Sequence, residues 1–239
     1  MKESRSIWKE DFITASWHAK KTGGYSRTSI EAIDNANMIY AVLYNKGWTL
    51  NAICGVLGNM GAESGYNPWR WQSDKIGVST GSPWTNKGYG LVQFTPGGKY
   101  INDSRAKGMP GYGPNFSDKV GNIADGNAQI LFVDSYADYY PTGAYPMSFA
   151  EFKASTSDPG TLAKAWLYNY ERPADPGATE AARAENGRYW FQVLSGEIPP
   201  DPPDPPDPPD PPGPSGHLEI WMYFKLKERR ETDASTYVL

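Results

Sequence analysis

The chain has 239 residues, a formal net charge of −4 and a single cysteine, Cys54. One cysteine excludes an internal disulfide, and a slightly acidic chain without a basic run is not typical of nucleic-acid-binding proteins. No apolar stretch approaches the roughly 20 residues of a transmembrane helix. The first residues also lack the apolar core of a secretory signal, so we expect neither membrane insertion nor a signal peptide.

The first part of the chain predicts two helices behind an N-terminal arm, which we assign to residues 1–25. The first helix begins after Ser29, a typical N-cap residue, and extends to Tyr44. The second begins after Thr49 and carries apolar residues at helical spacing. It ends at Gly65, because glycine readily adopts the left-handed conformation that stops a helix.

The composition changes between residues 66 and 100, which are rich in glycine, tryptophan, serine and proline. This composition predicts short strands and loops, and a further loop follows to residue 117. Helical patterns then resume: a helix from Asp125 to Tyr139, a capping box of Ser148 and Glu151, a helix from Pro159 to Tyr170 and a last helix from Thr179 to Leu194. We therefore predict an α+β protein that is mostly α-helical and has one small β region.

A run of Asp-Pro-Pro repeats marks the clearest domain boundary. Residues 199–216 should adopt an extended polyproline II conformation, because proline donates no backbone hydrogen bond. They separate a folded domain, residues 26–198, from a tail at 217–239 that is too short to form a domain alone. Alternating apolar residues in this tail suit an edge strand or a docking peptide, and an unstructured tail is equally compatible.

Glu63 is the first candidate for a functional residue. It lies in the last turn of the second helix, within the run GNMGAESGYNP at Gly58 to Pro68. The negative end of the helix dipole and a partly dry environment would both favour the protonated carboxylic acid. A general acid for glycosidic bond cleavage requires this form. A solvated glutamate at a helix end is the alternative.

Three blocks of sequence resemble one family. GNMGAESGYNP is followed by GYGLVQFTP at Gly88 to Pro96, and then by LYNYERP at Leu167 to Pro173 with ARAENGRYW at Ala182 to Trp190. In this order, over residues 26–196, the blocks resemble the lysozyme domain of bacteriophage tail lysins, which is related to goose-type lysozymes and soluble lytic transglycosylases. The resemblance implies a lysozyme-like fold whose small β region lines the cleft, with bacterial peptidoglycan as the substrate.

The resemblance also implies roles for individual residues. Glu63 corresponds to the catalytic glutamate, and Asn67 in the same block is assigned to substrate binding. Tyr89 and Gln93 correspond to residues that line the cleft. Gln93 would bind substrate or water or, alternatively, satisfy backbone groups. Tyr168 lies where transglycosylases carry a tyrosine that supports the glutamate, and a core aromatic is an equal interpretation.

A second carboxylate is the open question, because glycosidases commonly use two. Asp74, in the presumed β region, is the leading candidate for this catalytic role, followed by Asp103 and Glu171. Glu171 is adjacent to Arg172, so we expect a structural ion pair between these two. If Asp74 is only a solvated loop residue, a positioned water or transglycosylation becomes the favoured mechanism.

Tryptophan and glycine patterns give two further expectations. Trp71 and Trp84, together with Trp69, flank the catalytic segment and suit stacking against sugars, with loop packing as the alternative. Three glycines recur along the second helix: Gly55, Gly58 and Gly61. Because glycine is unfavourable within a helix, such a stripe predicts that another helix packs closely there.

The favoured hypothesis is a peptidoglycan hydrolase that cleaves the β-1,4 bond between N-acetylmuramic acid and N-acetylglucosamine. A lytic transglycosylase acting on the same bond is one alternative, and a phage tail structural protein that binds glycan without cutting it is another. Two histidines are too few for a zinc cluster, and we expect no metal or cofactor. The expected location is the phage tail or the host cell wall after release, with tail proteins as the partners that residues 217–239 would bind.

Overall fold

The computed structural model describes residues 15–75, 87–116 and 120–197. The chain divides into two units, Met1–Pro199 and Pro200–Leu239, and all described residues belong to the first. Several predictions lie outside the described residues: the linker at 199–216, the tail at 217–239, Trp84, and the first 14 positions of the N-terminal arm.

Most of the described chain is helical, as predicted. The α-helices are α1 (Ile30–Asn45), α2 (Leu50–Glu63), α3 (Gly98–Ile101), α4 (Ser104–Lys107), α5 (Asp125–Tyr136), α6 (Phe149–Ala154), α7 (Pro159–Trp166) and α8 (Glu180–Ser195). A short 3-10 helix covers Gln72–Asp74, and a π-helical turn, Leu167–Glu171, continues α7. Within the described ranges, no helix has the length and apolar character needed to cross a membrane.

Helix starts follow side-chain signals that are visible in the sequence. Ser29 and Thr49 each accept a hydrogen bond from a backbone N–H three residues later, at 3.3 Å and 3.1 Å. Ser148 forms the predicted capping box. These bonds satisfy N–H groups that the start of a helix leaves without an intrahelical partner. The prediction was wrong for the end of α5, which lies at Tyr136 rather than Tyr139.

The core is built around α2, which is enclosed on nearly every side. Residues Ala52–Met60 are all buried, and α2 packs against α7, α8 and α1. A Cβ atom placed on Gly55 would lie 2.8 Å from Cβ of Leu162, and one placed on Gly58 would lie 2.7 Å from the carbonyl oxygen of Arg183. The predicted close helix packing is confirmed at these two glycines, whereas the third glycine faces a tyrosine ring.

The predicted β region is reduced to isolated backbone bridges among the described residues. Tyr89 bridges Trp71 on one side and Phe94 on the other. The chain reverses direction through Gly90 and Gln93, both of which have positive φ. Backbone pairing is therefore confined to single residue pairs, and these residues form no continuous ladder of inter-strand hydrogen bonds. Among the described residues this region consists of loops joined by isolated β-bridges, and the predicted small sheet is not observed there.

Candidate active site

A cleft of about 1190 Å³ opens at the C-terminal end of α2. Its walls come from residues 92–95, from α3 and α4, from the end of α5, from the π-helical turn and from α8. The volume exceeds the roughly 300–1,000 Å³ of typical small-molecule sites. Glu63, Glu171 and Arg183, from three different elements, belong to its lining.

Glu63 is the last residue of α2, and its side chain lines the cleft with 21% of its surface exposed. One carboxylate oxygen accepts a hydrogen bond of 2.7 Å from the guanidinium group of Arg183. Arg183 is almost buried and donates through its other terminal nitrogen to the carbonyl oxygen of Asn59, so α2 itself holds the guanidinium group in place. The ion pair adds a positive charge at a helix end that is otherwise negative.

Glu171 enters the same cleft from the π-helical turn. One oxygen accepts a hydrogen bond of 3.0 Å from the indole nitrogen of Trp166. Burial, and then the negative charge of Glu63, raise the pKa of Glu171 well above the usual range of carboxylic acids. The expected ion pair with Arg172 is wrong, because Arg172 has a left-handed backbone and binds Asp138 at 3.0 Å instead.

Tyr170, rather than the predicted Tyr168, lines the cleft beside Glu171. Tyr170 stacks on Trp166 with ring centroids 4.3 Å apart. Burial, and then the charge of Glu171, raise the pKa of Tyr170. Tyr168 lies outside the cleft lining and donates a hydrogen bond of 3.0 Å to Glu180. Side chains two positions apart on a helix point in nearly opposite directions, so only one of the two tyrosines faces the cleft.

Asp74 does not line the cleft, contrary to its prediction as the second catalytic carboxylate. It accepts a hydrogen bond of 2.7 Å from the backbone N–H of Gly23, and it pairs with Arg70 at 2.8 Å. Ser73 and Asp74 both have positive φ. This tight turn directs the carboxylate to the N-terminal segment, and a catalytic role for Asp74 stays a prediction.

Trp71 and Tyr89 are fully buried, so their predicted contact with substrate is corrected to a place in the core. The indole nitrogen of Trp71 donates to the carbonyl oxygen of Asn115 at 2.8 Å. The Tyr89 hydroxyl donates to the buried carboxylate of Asp125 at 2.9 Å. The polar groups that a sugar contact would use are therefore already bonded to protein acceptors, and these bonds fasten the loops behind the cleft wall.

Asn67 and Gln93 use their side-chain amides on backbone groups. Asn67 is fully buried and donates to two carbonyl oxygens of the N-terminal segment, both at 2.8 Å, so the predicted substrate contact is not available to it here. Gln93 is half-buried and lines the cleft as predicted. Its side-chain nitrogen donates to the carbonyl oxygens of Arg70 and Gly90, at 3.1 Å and 3.0 Å. These bonds correspond to the alternative interpretation, in which Gln93 satisfies backbone groups.

An aromatic side chain missed by the sequence predictions lines the cleft at the end of α5. Tyr136 is 41% exposed, and the guanidinium group of Arg105 lies 4.0 Å from the centre of its ring. Asp103 holds Arg105 through paired hydrogen bonds, which lower the pKa of Asp103 to about 2. Asp103 is therefore an ionised support for Arg105. The spacing of Phe132 and Tyr136, four residues apart on one helix face, was the available sequence signal.

A comparison with known families decides the relationship. A sequence model described as phage tail lysozyme matches residues 34–194, a range that includes Glu63, the π-helical turn and Arg183. This chain belongs to the phage tail lysozyme family. The chain is also 38% identical over 164 residues to a protein named Morphogenesis protein 1 from Bacillus phage B103. That alignment covers 68% of this chain and 40% of the relative, so the chain spans less than half of the relative's length.

Two cleft residues were missed although their signals are in the sequence. Arg183 and Tyr170 both stand within the third block that carries the family resemblance. Neither was recognised, because nothing local shows that α8 crosses α2 beside Glu63, or which side of the π-helical turn faces the cleft. Sequence motifs therefore identified the acidic residue Glu63 more readily than the groups that surround it.

Proposed function

We propose that this chain is a peptidoglycan hydrolase of the muramidase type, which cleaves the β-1,4 bond between N-acetylmuramic acid and N-acetylglucosamine. The observation that carries the proposal is Glu63, a partly exposed carboxyl group on the wall of a large cleft in a phage tail lysozyme. Glu63 acts as the general acid and protonates the leaving glycosidic oxygen. Such groups typically contribute about 10²–10⁴-fold to the rate.

Other groups on the cleft walls position the glycan in this proposal. The half-exposed ring of Tyr136 offers an aromatic surface for the apolar face of a sugar. Gln93 maintains the shape of the opposite loop through its bonds to two backbone carbonyl oxygens. Tyr170, which stacks on Trp166, adds a second aromatic ring to the cleft lining.

Transglycosylase chemistry is the second candidate, favoured by the position of Asp74. Because Asp74 binds Arg70 and Gly23 outside the cleft, it does not support a hydrolytic mechanism with this residue as the second carboxylate. In a transglycosylase, a hydroxyl group of the muramic acid itself takes the place of water and yields an anhydro-muramyl product. Glu63 would serve as the acid in either reaction.

A phage tail, or the host cell wall after release, is the location that fits this function. The relative from Bacillus phage B103 is named a morphogenesis protein. We propose that residues 217–239 attach the lysozyme domain to phage tail proteins through the linker at 199–216. Such tethering would raise the effective concentration of the domain at the wall without any new contact with the glycan.

Digestion of purified peptidoglycan, with the fragments identified by mass spectrometry, tests the proposal. We expect the full chain to release reducing-end muropeptides and Glu63→Gln to release none, because glutamine can accept the Arg183 hydrogen bond but carries no acidic proton. Glu185→Gln is the matched control, since Glu185 is an exposed residue of α8 and should be dispensable. Anhydro-muramyl products would identify a transglycosylase. If the full chain binds peptidoglycan but releases no fragments, the enzyme proposal is wrong and the role of a glycan-binding tail protein remains.

A further inference from the structure

The part of the cleft beside the last turn of α5 combines an aromatic ring with positive charge. Tyr136 ends α5 and is 41% exposed. The guanidinium group of Arg105, from α4, lies 4.0 Å from the centre of this ring, and Lys99, from α3, also lines the cleft. We call Tyr136, Arg105 and Lys99 the α5-end cluster. Its members share the cleft with Glu63 but come from other elements.

Arg105 is held in one orientation by Asp103. Its Nε donates a hydrogen bond of 2.9 Å to one carboxylate oxygen, and its Nη2 donates to the other. Asp103 is itself fixed as the N-cap of α4, where it accepts a hydrogen bond of 2.8 Å from the backbone N–H of Arg105. No described residue accepts a hydrogen bond from Nη1, and the side chain is 52% exposed. A guanidinium group that is already oriented loses little conformational entropy when it binds a further acceptor.

Lys99 is the cation of the cleft lining whose charge has no carboxylate partner. Four other cationic residues of the lining form ion pairs: Arg70 with Asp74, Arg105 with Asp103, Arg172 with Asp138 and Arg183 with Glu63. Lys99 is exposed, and among the residues that the structure describes no carboxylate oxygen lies within 4.0 Å of its amino group. Its charge therefore remains available to an anion that enters the cleft from solvent.

An exposed ring next to an unpaired cation suits a sugar that carries a negative charge. The ring offers an aromatic surface for the apolar face of a sugar. Ammonium and guanidinium groups form charge-assisted hydrogen bonds with carboxylates and phosphates, and these bonds are stronger than those between neutral groups. The sugar rings of peptidoglycan are uncharged, but its muramic acid residues carry peptide stems with carboxylates, and phosphate-containing polymers can be attached to the same glycan. The two anions share the chemistry that this cluster recognises.

We propose that the α5-end cluster is a subsite for a muramic acid residue that bears an anionic substituent. The inference rests on the proposed function and specifies its substrate, which is charged peptidoglycan rather than an uncharged glycan. The sugar stacks on Tyr136, while Lys99 and Nη1 of Arg105 bind the carboxylate or phosphate. Lys99 and Arg105 determine specificity in this arrangement and take no part in the cleavage of the bond.

Calorimetric binding of soluble glycan fragments tests the subsite without catalysis. The host is the full chain with Glu63→Gln, with and without Lys99→Gln. The ligands are a peptidoglycan tetrasaccharide with peptide stems, the same fragment with its carboxylates converted to amides, and the amidated fragment with a phosphate on one muramic acid. We expect Lys99→Gln to increase Kd for a charged fragment about 3–10-fold and to leave Kd for the uncharged amide unchanged, because both changes remove the same interaction. Lys107→Gln is the matched control, since Lys107 is an exposed lysine of α4 outside the cleft lining.

The two charged fragments distinguish the sources of the anion. An effect of Lys99→Gln on the fragment with peptide stems alone identifies the stem carboxylates as the ligand. An effect on the phosphorylated fragment alone identifies a wall phosphate. Equal Kd values for the host and Lys99→Gln with both charged fragments would overturn the inference. A loss of the same size with the uncharged amide would overturn it as well, because the lysine would then support the cleft without recognising a charge.

Digestion kinetics separate the subsite from the proposed function. With Glu63 intact, Lys99→Gln should raise KM for peptidoglycan about 3–10-fold with kcat retained, and KM should depend less on salt than in the wild type. A decrease confined to kcat would overturn the assignment of Lys99 to binding. If the wild type cleaves peptidoglycan and Lys99→Gln binds every fragment as its host does, the subsite fails and the proposed function stands. If Lys99 discriminates between the fragments but the wild type cleaves nothing, the subsite stands and the proposed function fails.

Discussion

Replacement of Gly58 by alanine should reduce both the stability and the activity of the lysozyme domain. The new Cβ atom would lie 2.7 Å from the carbonyl oxygen of Arg183, 2.9 Å from the backbone nitrogen of Gly187 and 3.0 Å from Cβ of Ala163. Favourable contacts between heavy atoms occur at about 3.5–4.0 Å, so α8 would have to move by roughly 0.5–1 Å. Backbone atoms cannot rotate away as a flexible side chain can.

The magnitude follows from two opposing effects. Alanine is favoured over glycine within a helix by about 1 kcal/mol. Overpacking of a filled core typically costs about 1–3 kcal/mol, and we expect the upper part of this range because two obstructing atoms belong to the backbone. The free energy of unfolding should therefore decrease by about 1–2 kcal/mol. For a domain of this size, Tm should decrease by about 2–8 °C.

Activity should decrease as well, because α8 carries Arg183, which contacts Glu63 at 2.7 Å. Functional groups tolerate displacements of only about 0.5 Å, so we expect roughly a tenfold loss of rate at temperatures where the variant is folded. Thermal unfolding and peptidoglycan digestion measure the two effects. Gly143→Ala is the matched control, since a Cβ atom there would meet no atom within 4 Å. A Gly58→Ala protein with wild-type Tm and rate would refute the reasoning.

Three further predictions concern Glu171 and Tyr136 in the cleft and Asp74 outside it. Burial raises the pKa of Glu171, so the contribution of its protonated form to stability is complete below the unfolded pKa of about 4.3 and is lost as pH rises. The Tm of Glu171→Gln should therefore exceed that of the wild type at pH 8 but not at pH 4, and an equal Tm difference at the two pH values would contradict this. Tyr136→Ala should raise KM about 5–30-fold with kcat retained, while Tyr136→Phe changes neither, and an effect confined to kcat would exclude stacking. Asp74→Asn should keep activity within about twofold and change Tm by less than about 4 °C, because the ion pair with Arg70 is partly exposed. A 100-fold loss of activity would restore Asp74 as a catalytic candidate.

Features decided by neighbours in the sequence were predicted well. The starts of α1, α2 and α6 are set by Ser29, Thr49 and Ser148, whose side chains bond to backbone groups within the next turn. The acidic residue at the end of α2 was also identified, because its motif is contiguous. The close approach of helices at Gly55 and Gly58 was predictable too, since the unfavourable choice of glycine within a helix indicates a packing requirement.

Features that depend on how distant segments meet were predicted poorly. Trp71 and Tyr89 were expected to contact sugar, but their polar atoms find acceptors more than 30 positions later in the chain. Asp74 was expected in the cleft, but two consecutive residues with positive φ direct it elsewhere. Such backbone conformations are rare in residues other than glycine, and no sequence pattern here predicts them.

The sequence by itself determined the helical character of this protein, most of its helix starts and the position of Glu63, because each depends on interactions within a few residues. Only the tertiary structure decided which groups surround that carboxylate. Arg183 is 120 residues away in the chain and reaches Glu63 because α8 packs on the glycine face of α2. Glu171 enters the cleft because α7 ends in a π-helical turn. The charge balance of the cleft arises from the packing of three helical segments, and the sequence of any one segment does not contain it.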